Sequence, residues 1–269
     1  HCLINKRNRR HNHQVTKQRA ARNLLRLALA GNREMEPFRG ELVEEAQKVC
    51  GIRYGRQQRK AFNKLLLTRG VKILTGGPGT GKTSTINGML HAYEIMHPDH
   101  IIRLCAPTGR AAQRMSESTG RTAVTIHRLL DYQPDGLGAN YRNEKNPVDA
   151  DLVVVDEMSM ADIRLFDMLL AALKTGTKLI LVGDVNQLES VGAGSVLNDL
   201  MGTSDLFIEK NRLTEVFRQK GGSPIIDNSQ KINEGNIHLH ECEDFQIIHT
   251  KCEEETLEQT KILMQKLYN

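Results

Sequence analysis

Tryptophan is absent from these 269 residues, and six phenylalanines and five tyrosines bring the aromatic share to only 4%. So few rings argue against a binding module built on stacked aromatics. No run of about 18 apolar residues occurs and the first thirty residues lack a hydrophobic signal core, so neither a membrane span nor secretion is expected and the cytoplasm is the expected location. The five cysteines, Cys2, Cys50, Cys105, Cys242 and Cys252, form no C-x-x-C pair, which disfavours a disulfide scaffold and fits reduced thiols. His238, His240, Cys242 and Cys252 match no spacing expected of a zinc site.

Acidic residues are missing from positions 1–33, which hold nine basic ones: Lys6, Arg7, Arg9, Arg10, Lys17, Arg19, Arg22, Arg26 and Arg33. Of the 37 basic residues, 28 therefore lie beyond this arm against all 32 acids, so the remainder is slightly acidic although the whole carries +5. Such an arm suits a nucleic acid, and equally a solvated helix. With 39% hydrophobic and 26% charged residues the chain has the composition of an ordinary globular protein.

Apolar residues recur at helical spacing between Val15 and Ala30, with Gly31-Asn32 as a stop. Further helices are expected at Arg39–Cys50 and Gln57–Thr68. After Gly70, short apolar runs alternate with amphipathic stretches of helix length, the pattern of a parallel sheet covered by helices. Strands are expected at Val71–Thr75, Ile101–Cys105, Leu152–Val155, Lys178–Val182 and Leu206–Glu209. Helices are expected near Lys82–Met96, Ala111–Thr119, Asp162–Lys174 and Ser195–Met201. The polar stretch Tyr132–Ala150, with Asp135-Gly136 and two prolines, reads as a small hairpin insertion. The tail reads as a helix (Ile225–Asn233), a strand (Phe245–Ile248) and a helix (Glu253–Tyr268).

Gly76-Gly77-Pro78-Gly79-Thr80-Gly81-Lys82-Thr83 fits G-x-x-x-x-G-K-[ST], placed after a strand and opening a helix. Glycines let backbone N–H groups wrap phosphates, the helix N-terminus adds its positive dipole end, Lys82 reaches the outer phosphates, and the Thr83 hydroxyl ligates Mg²⁺. Ser84 completes the nucleotide-binding run. Leu152–Val155 is an apolar strand ending in Asp156-Glu157. Asp156 is suited to holding Mg²⁺ and Glu157 to polarising the attacking water, a task for a carboxylate near but not on the metal. The strand at Lys178–Val182 runs into Gly183-Asp184-Val185-Asn186-Gln187, so Gln187 either senses the γ-phosphate at the sheet's carboxyl edge or belongs to an ordinary turn.

Taken in order, Gln58 with Ala61, GGPGTGKT at 76–83, CAPTGRAA at 105–112, TIHRLL at 125–130, VVVDEMSM at 153–160, LVGDVNQLESVGAG at 181–194 and LTEVFRQ at 213–219 resemble superfamily 1B DNA helicases of the RecD and TraA type. The resemblance runs over roughly residues 50–235. It implies an α/β fold, a RecA-like P-loop NTPase domain with a parallel sheet flanked by helices, preceded by a helical lead-in. It also implies ATP and Mg²⁺ as cofactors, and single-stranded DNA and duplex junctions as partners.

Carried over by residue, the resemblance makes Gln58 a hydrogen-bonding partner of the adenine edge and Arg218 an arginine finger on the γ-phosphate, beside Lys82, Glu157 and Gln187 as the catalytic set. Pro107, Thr108, Gly109 and Arg110 resemble a loop that holds single-stranded DNA, and Thr125 and His127 a second DNA-contacting motif. The insertion at 132–150 takes the place of a strand-separating pin. With Tyr132, Tyr141, Phe166 and Phe217 the few rings near these motifs, phosphate contacts are expected to dominate DNA binding.

The chain departs from the family after Gln219, where nothing resembles the two late motifs of a second motor domain. The first residue, His1, likewise reads as the start of a piece. The expected organisation is a basic lead-in at 1–55, a motor domain at 56–235 and the start of a second motor domain or an extension at 236–269. The expected function is an ATP-dependent, 5′ to 3′ DNA helicase, this stretch supplying its first motor lobe, with any nuclease, repair or conjugation partner left open. A nucleotide-gated DNA- or protein-binding module is the competing reading. A P-loop small-molecule kinase leaves the 107–110 and 125–130 motifs unexplained.

Overall fold

Strands buried on both faces read as nearly continuous apolar runs, and Val71–Gly76 and Lys178–Gly183 are buried throughout, their polar Lys72, Thr75 and Lys178 included, with Lys178 Nζ donating to the Leu66 carbonyl at 2.7 Å. The computed structural model describes residues 2–30, 40–133, 136–137, 140–188, 190–204, 207–215 and 224–268. The chain divides into two compact units, residues 1–218 and 219–269.

In chain order the first unit contains α1 (Cys2–Ala30), α2 (Gly40–Cys50), α3 (Arg56–Leu67), β1 (Val71–Gly76), α4 (Lys82–Met96), β2 (Ile102–Ala106) and α5 (Gly109–Thr119). Next come β3 (Ala123–Thr125), α6 (Ile126–Leu129), β4 (Tyr132–Gln133), β5 (Gly136–Leu137), β6 (Leu152–Val155), α7 (Ile163–Ala172), β7 (Lys178–Gly183), α8 (Val196–Gly202) and β8 (Glu209–Leu213). Six of these strands form one parallel sheet in the order β3-β2-β6-β7-β1-β8, with Ile73 opposite Leu181 and Val155 also opposite Leu181 on the other side of β7. Because all six run the same way, the turns that leave them gather at one carboxyl edge, where ligands of open α/β sheets sit.

Alternate residues of each strand feed two cores. Ile73, Val153, Val155, Leu179 and Leu181 meet α1 and α7, whereas Leu74, Leu152, Val154, Ile180 and Val182 meet α2, α3 and α4. The result is the RecA-like three-layer arrangement expected from the alternation of runs.

The lead-in is part of this packing. α1 is longer than the expected Val15–Ala30 because no Gly or Pro interrupts residues 2–30. Its Ala20, Leu24, Leu27 and Ala28 lie against the sheet layer that contains α7. Arg19 pairs with the buried Asp167 of α7, and Arg26 donates to the carbonyls of Leu170 and Leu173 at its end.

Other differences from the sequence reading have local causes. The last strand is Glu209–Leu213 rather than Leu206–Glu209, and Leu206 lies outside the described residues. It is an edge strand in which Asn211 and Leu213 are buried, so its polar sequence EKNRL masks it. β3 is three residues long, too short for a visible alternation. Of the expected 132–150 insertion, the described strands are Tyr132–Gln133 and Gly136–Leu137, paired antiparallel, and residues 140–150 are tied back by Arg142 N–H on the Leu130 carbonyl and by Val148 N–H on the Ala172 carbonyl.

The second unit contains α9 (Ile225–Asn233) and α10 (Glu253–Tyr268). The strand expected at Phe245–Ile248 is not formed. A strand needs a partner, and among the described residues this segment finds only the isolated pair Cys242–Phe245. Asn228, fully buried, receives the His240 N–H at 2.8 Å and donates to its carbonyl at 2.6 Å, pinning the connecting segment to α9.

Candidate active site

The loop between β1 and α4 is shaped by glycine where side chains cannot go. Gly79 and Gly81 have φ of +77° and +83°, a left-handed geometry that costs an L-residue roughly 1–2 kcal/mol. Thr80 is buried and donates to the Gly77 carbonyl at 2.8 Å, so it braces the loop from within. Gly76 is buried beneath it, where an added Cβ would stand 2.7 Å from the Leu213 carbonyl oxygen. Lys82 Nζ donates to the Gly76 and Gly77 carbonyls at 2.5 and 3.2 Å, folding its charge over the cradle it would share with phosphates.

Beyond β6 the chain turns through Asp156 and Glu157. Glu157 has φ of +52°, a left-handed conformation rare for a non-glycine residue, and its N–H is received by Asp156 Oδ1 at 2.8 Å. Burial pushes both carboxyls above the ordinary carboxylate range; for Glu157 the neighbouring Asp156 adds to the rise, while Lys82 draws both back. Two carboxylates disfavoured by burial next to a single ammonium, with the Thr83 hydroxyl in the same cavity, form an all-oxygen donor set that suits a hard divalent cation such as Mg²⁺.

Gln58, Lys82, Thr83, Asp156, Glu157 and Gln187 line one cavity of about 840 Å³. Gly77, Pro78, Gly79, Gly81 and Ser84 join them, whereas Gly76 and Thr80 shape the loop from behind. Gln58 is buried, not a surface helix residue: its Oε1 receives the Gly55 N–H at 3.0 Å and its Nε2 lies 3.4 Å from the Gly81 carbonyl. It thereby connects the start of α3 to the loop. Gln187 is exposed at the turn after β7, which Asp184 organises by accepting the Asn186 N–H at 3.0 Å. Arg218 lies outside the described residues.

A second cavity, of about 500 Å³, takes in Pro107, Thr108 and His127, with Tyr132, Arg164 and Val191. His127 and Tyr132 stand 5.4 Å apart between ring centroids, and Tyr132 meets Tyr141 edge-on at 6.3 Å. Thr108 caps α5 by accepting the Ala111 N–H at 3.2 Å. Thr125 caps α6 by accepting from Arg128 N–H at 3.1 Å, and does not line the cavity. Gly109 and Arg110 are exposed on the first turn of α5 and lie outside that lining as well.

The sequence reading passed over α5 as a wall of the first cavity. Ala111, Arg114, Met115 and Ser118 line it at helical spacing, and the Arg114 charge acts on Glu157. A single helix therefore starts at the Thr108 cavity and flanks the Glu157 cavity. The i, i+3, i+4, i+7 spacing was visible, but only the fold says which face turns to the 76–83 loop. Cys50, Ile52 and Arg53, also on the wall, come from a segment with no motif. Among the described residues, no group of three His, Cys, Asp or Glu side chains is placed to hold a metal by itself, and no helix is long and apolar enough to cross a membrane.

The AAA domain family matches residues 58–193. Over 163 residues the chain is 42% identical to the ATP-dependent RecD2 DNA helicase of Deinococcus radiodurans, covering 61% of this chain and 22% of that protein. It is 38% identical over 183 residues to the RecBCD enzyme subunit RecD of Mycolicibacterium smegmatis, covering 60% of this chain and 33% of the relative. The match thus spans a third or less of each of these relatives. Among solved structures, the Pif1 helicase from Candida albicans is similar with a TM-score of 0.50 at 23% identity, over 70% of this chain and 45% of that one, a likeness of fold.

Proposed function

The chain belongs to the AAA domain family and is RecD-like, and from that premise we propose that it supplies the ATP-binding first motor lobe of an ATP-dependent DNA helicase working 5′ to 3′. The observation that carries this reading is the convergence of Gln58, Lys82, Thr83, Asp156, Glu157 and Gln187, drawn from separate elements, on one cavity. In this reading residues 1–55 form the lead-in, 56–235 the motor domain and 236–269 the start of a second motor domain or a C-terminal extension, although residues 219–235 fall in the second compact unit. The protein works in the cytoplasm on single-stranded DNA and duplex junctions.

ATP lies with its triphosphate along the loop at 77–83, where the N–H groups opening α4 and the Lys82 ammonium offset its charge. Lys82 exchanges the Gly76 and Gly77 carbonyls for phosphate oxygens. The Thr83 hydroxyl and the Asp156 carboxylate would hold a magnesium ion, which would supply charge neutralisation at the outer phosphates. Glu157 orients the attacking water and takes its proton, a role helped by a carboxyl whose proton affinity burial has raised. Gln187 reads the γ-phosphate from the next strand end, and Arg218 offsets the charge that develops on it. Gln58 holds the adenine edge.

Single-stranded DNA follows the second cavity, its phosphates held at Pro107–Arg110 and at the Thr125–His127 turn, with the 132–137 hairpin at the junction. Stepping needs a second lobe to close on ATP and reopen. The test is ATP hydrolysis by the full-length protein that contains this chain, with and without single-stranded DNA, in the parent and in E157Q; the first lobe by itself is expected to hydrolyse ATP slowly. A rate that rises with DNA and is lost in E157Q supports the reading; a rate indifferent to DNA overturns it.

A further inference from the structure

The outer wall of the nucleotide cavity carries an amide that none of the motifs includes. Asn87 lies on α4, one turn beyond Ser84, and lines the cavity. Its Oδ1 receives Arg121 Nη1–H at 2.9 Å. The same guanidinium grips Glu94 with two bonds of 2.7 Å and donates to the Thr119 carbonyl at 2.8 Å.

This network fixes which end of the amide is engaged. A guanidinium has only N–H donors, so the atom of Asn87 turned toward it is the oxygen, and the NH₂ is not used by this clamp on a residue that lines the cavity. The fork of Arg121 is immobilised by a bidentate carboxylate, whose proton affinity it lowers in turn, so the amide orientation is held by a charge-assisted clamp. The phosphates occupy the loop at the N-terminus of α4. Asn87, five residues further and about 7.5 Å along the helix axis from Lys82, lines the same cavity beyond the phosphate loop, on the wall open to the rest of a bound nucleotide.

We propose that Asn87 is a nucleoside-binding residue whose Nδ2 donates a hydrogen bond to an acceptor on the base or ribose of the bound nucleotide, with Arg121 and Glu94 as the residues that position it. The inference rests on the reading of this cavity as a nucleotide site. It adds a donor on the α4 wall, facing a ligand whose base edge Gln58 holds from the α3 side.

The test is equilibrium binding of ATP to the protein and to N87A, N87D and R121Q, repeated with 2′-deoxy-ATP, 7-deaza-ATP and inorganic triphosphate. N87A should bind ATP about tenfold more weakly, the worth of one well-made hydrogen bond, while its affinity for inorganic triphosphate stays unchanged. N87D keeps an oxygen for Arg121 and folds as the parent does, yet lacks the donor, so its ATP affinity should fall at least as far. R121Q should weaken ATP binding in the parent and add nothing in N87A, an absence of additivity that a merely structural role for Arg121 would not produce.

The analogue whose deficit against ATP disappears in N87A identifies the acceptor: the ribose hydroxyl for 2′-deoxy-ATP, the base for 7-deaza-ATP. If neither deficit disappears while ATP binding still falls, the acceptor is another ring nitrogen or the 3′-hydroxyl, and the donor role stands. Should N87A and N87D bind ATP as the parent does, the proposal is overturned and the nucleotide site survives. Should the parent itself bind no nucleotide, the site reading fails first.

Discussion

Replacing Arg19 by alanine removes the cation that Asp167 faces across the α1–α7 contact. Asp167 is only 1% exposed, and Arg19 Nε donates to its two oxygens at 3.0 and 2.8 Å, with Nη2 bonded as well. Taking one partner from a buried ion pair costs about 3–5 kcal/mol, because the remaining charge is stranded. The Arg19 side chain is 55% exposed, so water can enter where it leaves, and the expected loss is at the lower end, about 3 kcal/mol. For a unit of this size that lowers the melting temperature by roughly 6–12 °C, read by circular dichroism in thermal and urea melts. Adding D167N to R19A removes the stranded charge and should recover part of the loss. A melting temperature for R19A within about 1 °C of the parent, or a double variant less stable than R19A, would refute the claim that this basic helix is a structural member of the first unit.

Other consequences are as specific. T108A should cost about 1 kcal/mol through the lost α5 cap and also weaken binding to single-stranded DNA, with T108S restoring both; undiminished DNA affinity in T108A, measured by fluorescence anisotropy, would separate cap from contact. The fully buried Cys105 thiol is pushed from 9.0 up to about 12, so the folded state keeps a proton that the unfolded chain sheds. Its contribution is whole below pH 9 and is lost as pH rises toward 12, at up to about 1.4 kcal/mol per pH unit, a slope that urea melts should find flattened in C105A. DNA binding held mainly by phosphates should weaken steeply with salt between 50 and 200 mM, whereas a flat response would point to base contacts instead.

Much of the fold was legible because buried parallel strands write themselves as apolar runs. Val71–Gly76, Leu152–Val155 and Lys178–Gly183 stand within a residue of where their sequence puts them, and α4, α9 and α10 match to the residue. What escaped had no local signature. Glu209–Leu213 is polar because one side of an edge strand meets solvent, and Ala123–Thr125 is too short to alternate. The position of the 76–83 loop between β1 and α4 was readable, since its glycines and lysine lie in one short run. Arg114 and Asn87 were not, because a helix face acquires a meaning only when the sheet decides what it looks at. Of the motif threonines, Thr108 and Thr125 both proved to be helix caps, a role that their position before a helical run already allowed.

The account depends on Lys82 and the turn beneath it seating a nucleoside triphosphate. Titrating a fluorescent ATP analogue with Mg²⁺ against the parent and K82A addresses that claim most directly. K82A should bind roughly 10- to 100-fold more weakly, the loss of charge-assisted bonds to phosphate oxygens. Equal affinity in the two proteins would contradict it.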